Sequence, residues 1–210
     1  MPADRQSGRR GRRFPRIPAP ETPFPGAIED CVAALSHLRR NAAALDIDPA
    51  RIAVGGDSAG GNLAAVLALL ARDGKAPNTA AQLLIYPNTD QAQDSDSFRR
   101  FGEGYGLTAR EMAWFRGHYL QTEAGQHDWR AAPLTAASLH GIAPAAVILA
   151  GYDVLYSEGA AYAARLKDEG TAVVRCWPGQ IHGFLSMSAV IPEAVEAAHW
   201  LCDAWRDIAP

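Results

Sequence analysis

The chain has 210 residues, of which 48% are hydrophobic and 20% are charged, and its formal net charge is −3. This composition is ordinary for a globular protein and argues against wholesale disorder. The weak charge gives no electrostatic reason to expect a nucleic acid or an anionic membrane as a partner. The longest apolar run, residues 63–71, is far too short to span a bilayer.

The cysteine pattern bears on compartment and on metals. Cys31, Cys176 and Cys202 are scattered, without a C-x-x-C pair or a nearby ligand cluster. Such usage predicts reduced thiols, most of them buried, in a cytoplasmic protein. We expect neither a metal nor an organic cofactor. No secretory signal pattern opens the chain, because the basic start is not followed by an apolar segment.

The first residues differ from the rest of the chain. Residues 1–16 carry six arginines and one acid, with no hydrophobic period. We expect residues 1–18 to form a disordered, solvated tail. A nucleic-acid-binding arm is an alternative, although no aromatic side chain pattern accompanies the charge.

From residue 27 onward, helical and strand patterns alternate. Apolar residues at three- and four-residue spacing, or in short continuous runs, distinguish the two. The predicted helices are 27–45, 61–72, 157–169 and 192–208. The predicted strands are 51–55, 80–87, 145–153 and 172–179. The long polar segment 88–139 reads as a cap-like insertion with one helical piece, 108–119.

This alternation predicts an α/β fold with a mostly parallel sheet flanked by helices. Strands that are apolar on both faces are typical of such sheets. Reactive groups in them gather at the carboxyl ends of the strands. That rule selects the loops that hold Ser58, Asp153 and His182.

The stretch GGDSAGG contains the pattern G-x-S-x-G between a predicted strand and a predicted helix. A serine nucleophile on such a sharp turn stands proud of the sheet, and glycines flank it because side chains there would collide with neighbours. The helix that follows points its amides at the oxyanion, so the N–H of Ala59 is the expected donor. A phosphate loop is disfavoured because its lysine is absent.

A serine nucleophile needs a histidine base and a carboxylate that orients it, here in the chain order serine, acid, histidine. His182, in GQIHGF, is the one histidine in the loop that follows the last predicted strand, whereas His199 lies on the predicted helix 192–208. Asp153 closes the strand AAVILAGYD, whereas its competitor Asp90 follows the preceding strand. Glu158 reads as a first-turn helix residue that suits the helix dipole. We therefore expect Ser58, His182 and Asp153 to act together.

The segments GDSAGGNLAA, LIYP, AGYD, SEG and HGF resemble the bacterial hormone-sensitive-lipase-like branch of the α/β-hydrolases, from about residue 19 to the C-terminus. The resemblance implies a serine carboxylesterase for small to medium acyl esters, working through an acyl-enzyme. It also implies that the segment containing Trp114, Phe115 and Tyr119, together with Phe184, walls the substrate pocket.

The chain departs from this family upstream. The family's H-G-G-G motif, whose glycine amides supply further oxyanion donors, occurs nowhere in the sequence. We therefore expect residues 19–210 to form an incomplete catalytic domain that lacks the first strands of the sheet and this loop. A wrong start or shifted reading frame would explain the arginine-rich beginning.

Two other functions remain open on the sequence alone. An inactive hydrolase remnant would act through pairing with another subunit, for instance as a homo-oligomer, because the strand at 51–55 would present an unpaired edge. Alternatively, the same three residues would hydrolyse an amide or a lactone, since leaving-group preference depends on the pocket walls.

Overall fold

A computed structural model describes residues 19–122, 125 and 127–208 of the chain. The predicted tail, residues 1–18, lies outside these residues. The strands are β1 (Val54–Asp57), β2 (Gln82–Ile85), β3 (Ala145–Tyr152) and β4 (Ala172–Ile181). The α-helices are α1 (Gly26–Arg40), α2 (Ala59–Arg72), α3 (Asp96–Phe101), α4 (Ala109–Tyr119), α5 (Tyr156–Glu169) and α6 (Pro192–Ile208).

The four strands form one parallel sheet in the order β1-β2-β3-β4. Helix α2 connects β1 to β2 and helix α5 connects β3 to β4, as expected of βαβ units, whereas the longer connection between β2 and β3 carries α3 and α4. Within the described residues, β1 is an edge strand: it pairs with β2 and with no other strand. The parallel α/β fold predicted from the sequence is therefore confirmed.

Both faces of β3 are buried. Val147 and Leu149 belong to a core shared with α1, α2 and α5. Ile148 and Ala150 point the other way, into a smaller core under α6 that contains Phe184. The period-two alternation of a strand sends successive side chains to opposite faces, which explains why this strand is apolar throughout.

Several predicted boundaries shift where turns form. Strand β1 begins at Val54 rather than at residue 51, because Pro49–Arg51 is a short 3-10 helix. Asp48 starts that helix by accepting a hydrogen bond from the Ala50 amide at 2.9 Å. Helix α1 ends at Arg40, five residues earlier than predicted, and its Asn41 side chain donates back to the His37 carbonyl. Strand β4 continues to Ile181 and delivers His182 directly.

The prediction that most of the cysteines are buried is wrong: Cys31 and Cys176 are half-buried and Cys202 is exposed. Among the described residues the three form no disulfide. Cys202 is exposed because α6 buries a stripe of alanines, Ala194, Ala197 and Ala204, that faces away from it. None of the described helices combines the length and the apolar character needed to cross a bilayer.

Candidate active site

Ser58 sits on the turn between β1 and α2 in a strained conformation. Its φ is 53° and its ψ is −118°, a region that residues with a side chain rarely adopt. A Cβ at Gly56 would lie 2.5 Å from the backbone of Gly60, and one at Gly61 would lie 2.8 Å from Pro87. At Gly60 itself a Cβ would meet nothing within 4 Å. The collision predicted from the sequence therefore exists at Gly56 and is absent at Gly60.

His182 follows β4 and reaches Ser58 across the carboxyl end of the sheet. Its Nε2 lies 3.0 Å from the Ser58 Oγ. Gly183, the next residue, has a φ of 79°, which allows the chain to turn immediately after the histidine. The side chain of His182 is only 13% exposed, so the pair is largely screened from water.

Asp153, just beyond the end of β3, holds the other side of the imidazole. Its Oδ2 lies 2.7 Å from the His182 Nδ1, and its Oδ1 accepts a hydrogen bond from the Leu155 amide at 2.9 Å. Because an ionised carboxylate can only accept, the proton sits on Nδ1 and leaves Nε2 to accept from the Ser58 hydroxyl. The three predicted residues thus form one continuous hydrogen-bonded chain.

The competing acid makes different contacts. The Oδ1 of Asp90 accepts hydrogen bonds from the amides of Gln91 at 2.7 Å and Ala92 at 3.3 Å, so this carboxylate closes its own turn. Among the described contacts, Asp153 is the one carboxylate joined to His182.

Ala59 is the first residue of α2. Amides in the first turn of a helix have no partner within the helix and carry its positive dipole end. The Ala59 amide therefore lies where a negative oxygen formed at a carbonyl bound to Ser58 would be stabilised.

A cavity of about 450 Å³ opens beside Ser58 and Ala59. Its walls are largely apolar and include Trp114, Phe115 and Tyr119 of α4, three of the predicted pocket residues. Trp114 and Phe115 remain 61% and 52% exposed, so they form an outer rim. Phe24 fixes the end of α4 through a 2.9 Å hydrogen bond from its amide to the Tyr119 carbonyl.

Phe184 occupies a different place from the one predicted. It is fully buried and is not among the residues that line the cavity. Its ring packs between Tyr86 and Trp177, with centroids 6.0 Å from each. Phe184 belongs to the core beneath α6, because the 3-10 turn after His182 folds it under the sheet.

Tyr86 is a site residue that the sequence analysis missed. It is 2% exposed and its ring centroid lies 4.7 Å from that of His182. Burial, and secondarily the charges of Asp57 and Asp153, raise the pKa of its hydroxyl. Its position at the carboxyl end of β2 could have identified it, because reactive groups gather at the carboxyl ends of the strands in parallel sheets.

A buried polar network behind the cavity was also missed. Glu158 Oε1 accepts hydrogen bonds from the Asn88 side chain at 3.0 Å and from the amides of Thr89 and Asp90 at 2.7 and 3.1 Å. Glu158 does lie in the first turn of α5, as predicted, but it is only 6% exposed. Burial raises its pKa to about 8, and the charges of Asp90 and Asp153 add to this. The hydrophobic periodicity of the sequence does not identify a buried carboxyl of this kind.

In the described part of the chain, no group of three or more histidine, cysteine or acidic side chains is arranged to hold a metal ion.

Comparison with known proteins identifies the family. A family model described as alpha/beta hydrolase fold matches residues 18–186. The carboxylic ester hydrolase LipN of Mycobacterium tuberculosis is 45% identical over 177 residues, which make up 80% of this chain and 47% of that protein. Ethyl acetate hydrolase of Pseudomonas putida is 38% identical over 188 residues, 89% of this chain and 59% of that protein.

Solved structures agree with the sequence relatives. A thermophilic and thermostable carboxylesterase cloned from a metagenomic library superposes with a TM-score of 0.87 at 40% identity, covering 93% of this chain and 67% of that one. The chain spans 47% and 59% of the lengths of the two curated relatives named above. Since the family model covers most of its residues, the chain belongs to the alpha/beta hydrolase fold family.

Proposed function

We propose that this chain is a serine carboxylic-ester hydrolase acting on small to medium acyl esters through Ser58, His182 and Asp153. The observation that carries the proposal is the unbroken hydrogen-bonded chain from the Ser58 Oγ through both nitrogens of His182 to the Asp153 carboxylate. The names of the relatives, a carboxylic ester hydrolase and an ethyl acetate hydrolase, support an ester as the bond that is hydrolysed.

In the acylation half, the Ser58 Oγ attacks the ester carbonyl carbon while the His182 Nε2 takes its proton. Asp153 stabilises the imidazolium that forms, since its carboxylate faces the Nδ1–H at 2.7 Å. The negative carbonyl oxygen of the tetrahedral intermediate accepts from the Ala59 amide. When the intermediate collapses, His182 returns the proton to the departing alcohol, which leaves an acyl ester on Ser58.

In the deacylation half, water enters and the His182 Nε2 takes one of its protons as the oxygen attacks the acyl carbon. Collapse of the second tetrahedral intermediate breaks the bond to the Ser58 Oγ, which recovers its proton from His182. The carboxylic acid is released and the site returns to its starting state.

The rate is limited by the oxyanion site. Ala59 supplies one donor, and the sequence contains no H-G-G-G motif. Loss of one such donor typically lowers kcat by about 10²–10³. We therefore propose slow turnover for this chain, with an activated serine all the same.

The test is hydrolysis of p-nitrophenyl butyrate by the purified chain, compared with Ser58→Ala. Labelling by a fluorophosphonate probe serves as the more sensitive measurement, because it reports an activated serine even when turnover is slow. We expect labelling and hydrolysis in the wild type and neither in the variant. Equal rates in the two proteins would refute the proposal.

The alternative is a non-catalytic hydrolase homologue that acts through subunit pairing. The observation that favours it is that, among the residues the structure describes, β1 pairs on one side only and exposes Gly55 and Asp57. An unlabelled Ser58 together with a stable dimer in size-exclusion chromatography would support this alternative. In either case the sparse cysteines, which form no disulfide among the described residues, lead us to propose a cytoplasmic location.

A further inference from the structure

The cavity next to Ser58 is lined mostly by apolar surface, and its polar lining includes Thr22, Arg116 and His118 as well as three amide side chains, Asn62, Asn88 and Gln91. Asn62 lies one helical turn after Ser58 on α2, and helical side chains lean back toward the N-terminus. Its side chain therefore leans back toward the turn that holds Ser58, and Ser58 and the three amides line the same cavity.

The orientation of the Asn62 amide is fixed by its partners. Its Nδ2 donates to the backbone carbonyls of Asn88 at 2.9 Å and Ala131 at 2.8 Å. A backbone carbonyl can only accept, so the nitrogen must face both of them. Both protons of this nitrogen are used, and the Oδ1 is turned to the other side.

Gln91 is fixed in the same way. Its Nε2 donates to the Ala131 carbonyl at 3.0 Å and to the Asn88 Oδ1 at 2.8 Å. The Asn88 amide is oriented in turn by Glu158, whose Oε1 accepts from its Nδ2 at 3.0 Å. The buried carboxyl thus helps to set the direction of the Asn88 and Gln91 amides, whereas Asn62 is oriented by the two backbone carbonyls.

Two acceptor oxygens are left over, Asn62 Oδ1 and Gln91 Oε1. Neither has a hydrogen-bond partner among the described residues, yet neither belongs to the buried atoms without a partner. The two residues are only 4% and 6% exposed, and both line the cavity. Their exposed polar atoms are therefore the oxygens, which are open to the cavity. The cavity presents acceptors, without matching amide donors, on this wall.

We propose that the preferred substrates are esters that carry a hydroxyl group on the part lodged in this cavity. The hydroxyl donates to Gln91 Oε1 or Asn62 Oδ1 while the remaining carbon skeleton contacts the apolar wall. This inference rests on the proposed ester hydrolase function and narrows its substrate class. A site that offers fixed acceptors discriminates against the analogue whose hydroxyl is replaced by a methyl group, because the acceptors are then left unpaired.

The experiment compares hydroxyl and methyl esters of equal size. Ethyl 3-hydroxybutyrate against ethyl 3-methylbutyrate tests the acyl side, and 2-hydroxyethyl butyrate against propyl butyrate tests the alcohol side. Each ratio of kcat/KM is divided by the ratio of the uncatalysed alkaline rates, which removes intrinsic reactivity. We expect one ratio to reach about fivefold or more in favour of the hydroxyl ester.

The variant Gln91→Met removes the acceptor and keeps the length of the side chain. We expect it to lower that ratio by about threefold or more. The control Gln121→Met makes the same change at an exposed glutamine outside the cavity and leaves the ratio unchanged. A ratio of two kcat/KM values measured on one preparation does not depend on the fraction of the protein that is folded. If Gln91→Met proves insoluble, the wild-type ratios alone test the hydroxyl preference.

The outcomes separate the two proposals. Labelled Ser58 with both wild-type ratios below about twofold overturns the hydroxyl preference and leaves ester hydrolysis standing. A wild-type preference that survives unchanged in Gln91→Met overturns the role of Gln91 as the acceptor. Absence of both labelling and hydrolysis overturns the two together.

Discussion

At the scale of single residues, the glycines around Ser58 have unequal roles. A methyl group at Gly56 would lie 2.5–2.8 Å from the backbone of Gly60, whereas one at Gly60 meets nothing within 4 Å. We expect Gly56→Ala to abolish fluorophosphonate labelling, because the turn must shift, and Gly60→Ala to keep it within a few-fold. Thermal denaturation of both proteins shows whether the fold itself survives. Full labelling of Gly56→Ala would mean that the turn tolerates a side chain there.

The orienting carboxylate gives a second prediction at this scale. Asp153→Asn places an amide against the His182 Nδ1, favours the wrong tautomer, and should lower kcat by about 10³–10⁴. The matched change Asp90→Asn alters a carboxylate that closes its own turn, and it should leave kcat nearly unchanged. Steady-state kinetics with p-nitrophenyl butyrate measures both. Equal losses would place the orienting charge elsewhere.

Sequence reasoning located these residues because nucleophilic chemistry restricts both type and place. A glycine-flanked serine between a strand and a helix by itself predicts a nucleophile. The rule that reactive groups gather at the carboxyl ends of parallel strands predicts the positions of Asp153 and His182. Tyr86 was missed because an aromatic residue in LIYP looks like ordinary core. Its contact with His182 depends on the φ of 34° at its own backbone, which no period in the sequence reveals.

At the scale of elements, Glu158 ties the first turn of α5 to the loop after β2. Its raised pKa means that the folded chain holds a proton on this carboxyl up to about pH 8, whereas the unfolded chain releases it near the ordinary glutamate pKa of 4.5. The folded state then binds more protons over this interval, so the stabilising contribution of the neutral carboxyl is complete below about pH 4.5 and is lost as the pH rises toward 8.

Glu158→Gln should remove this pH dependence while keeping the acceptor oxygen for Asn88 and the two amides. The free energy of unfolding, measured by urea denaturation between pH 5 and 8, should fall less steeply in the variant than in the wild type. Glu193→Gln, at an exposed first-turn glutamate of α6, is the control and should follow the wild-type curve. Parallel curves for wild type and Glu158→Gln would argue that the carboxyl is ionised when buried.

Element types were predictable and their ends were not. The alternation of apolar strands with periodic helices is a property of many residues together, so the parallel sheet followed from it. The ends depend on single contacts, such as the Asp48 side chain that starts a 3-10 helix where a strand was expected. The buried face of α6 is formed by small alanines, while Val195 and Cys202 are exposed, and apolar spacing alone does not distinguish these residues.

At the scale of the whole molecule, the core and the cavity are formed by different aromatic residues. Phe184 is fully buried beneath α6, and Phe115 is 52% exposed at the cavity rim. Phe184→Ala should lower the free energy of unfolding by about 3–5 kcal/mol and leave the ratio of acetate to butyrate hydrolysis unchanged.

Phe115→Ala should do the reverse, altering this acyl-length ratio with little loss of stability. Chemical denaturation and kinetics with the two p-nitrophenyl esters separate the effects. If Phe184→Ala changed the acyl-length ratio and Phe115→Ala did not, Phe184 would have to be counted among the pocket residues. The two phenylalanines look alike in sequence, and only the three-dimensional path of the chain distinguishes them.

The position of β1 at the edge of the described sheet has a consequence for what can bind next to the nucleophile. Any polypeptide that hydrogen-bonds alongside Gly55 and Asp57 would run past the bend holding Ser58, one residue away. Binding of a second chain at this edge would then change the surroundings of the nucleophile. Specific activity would vary with protein concentration if chains met at this border, whereas contact along β4 would leave it constant.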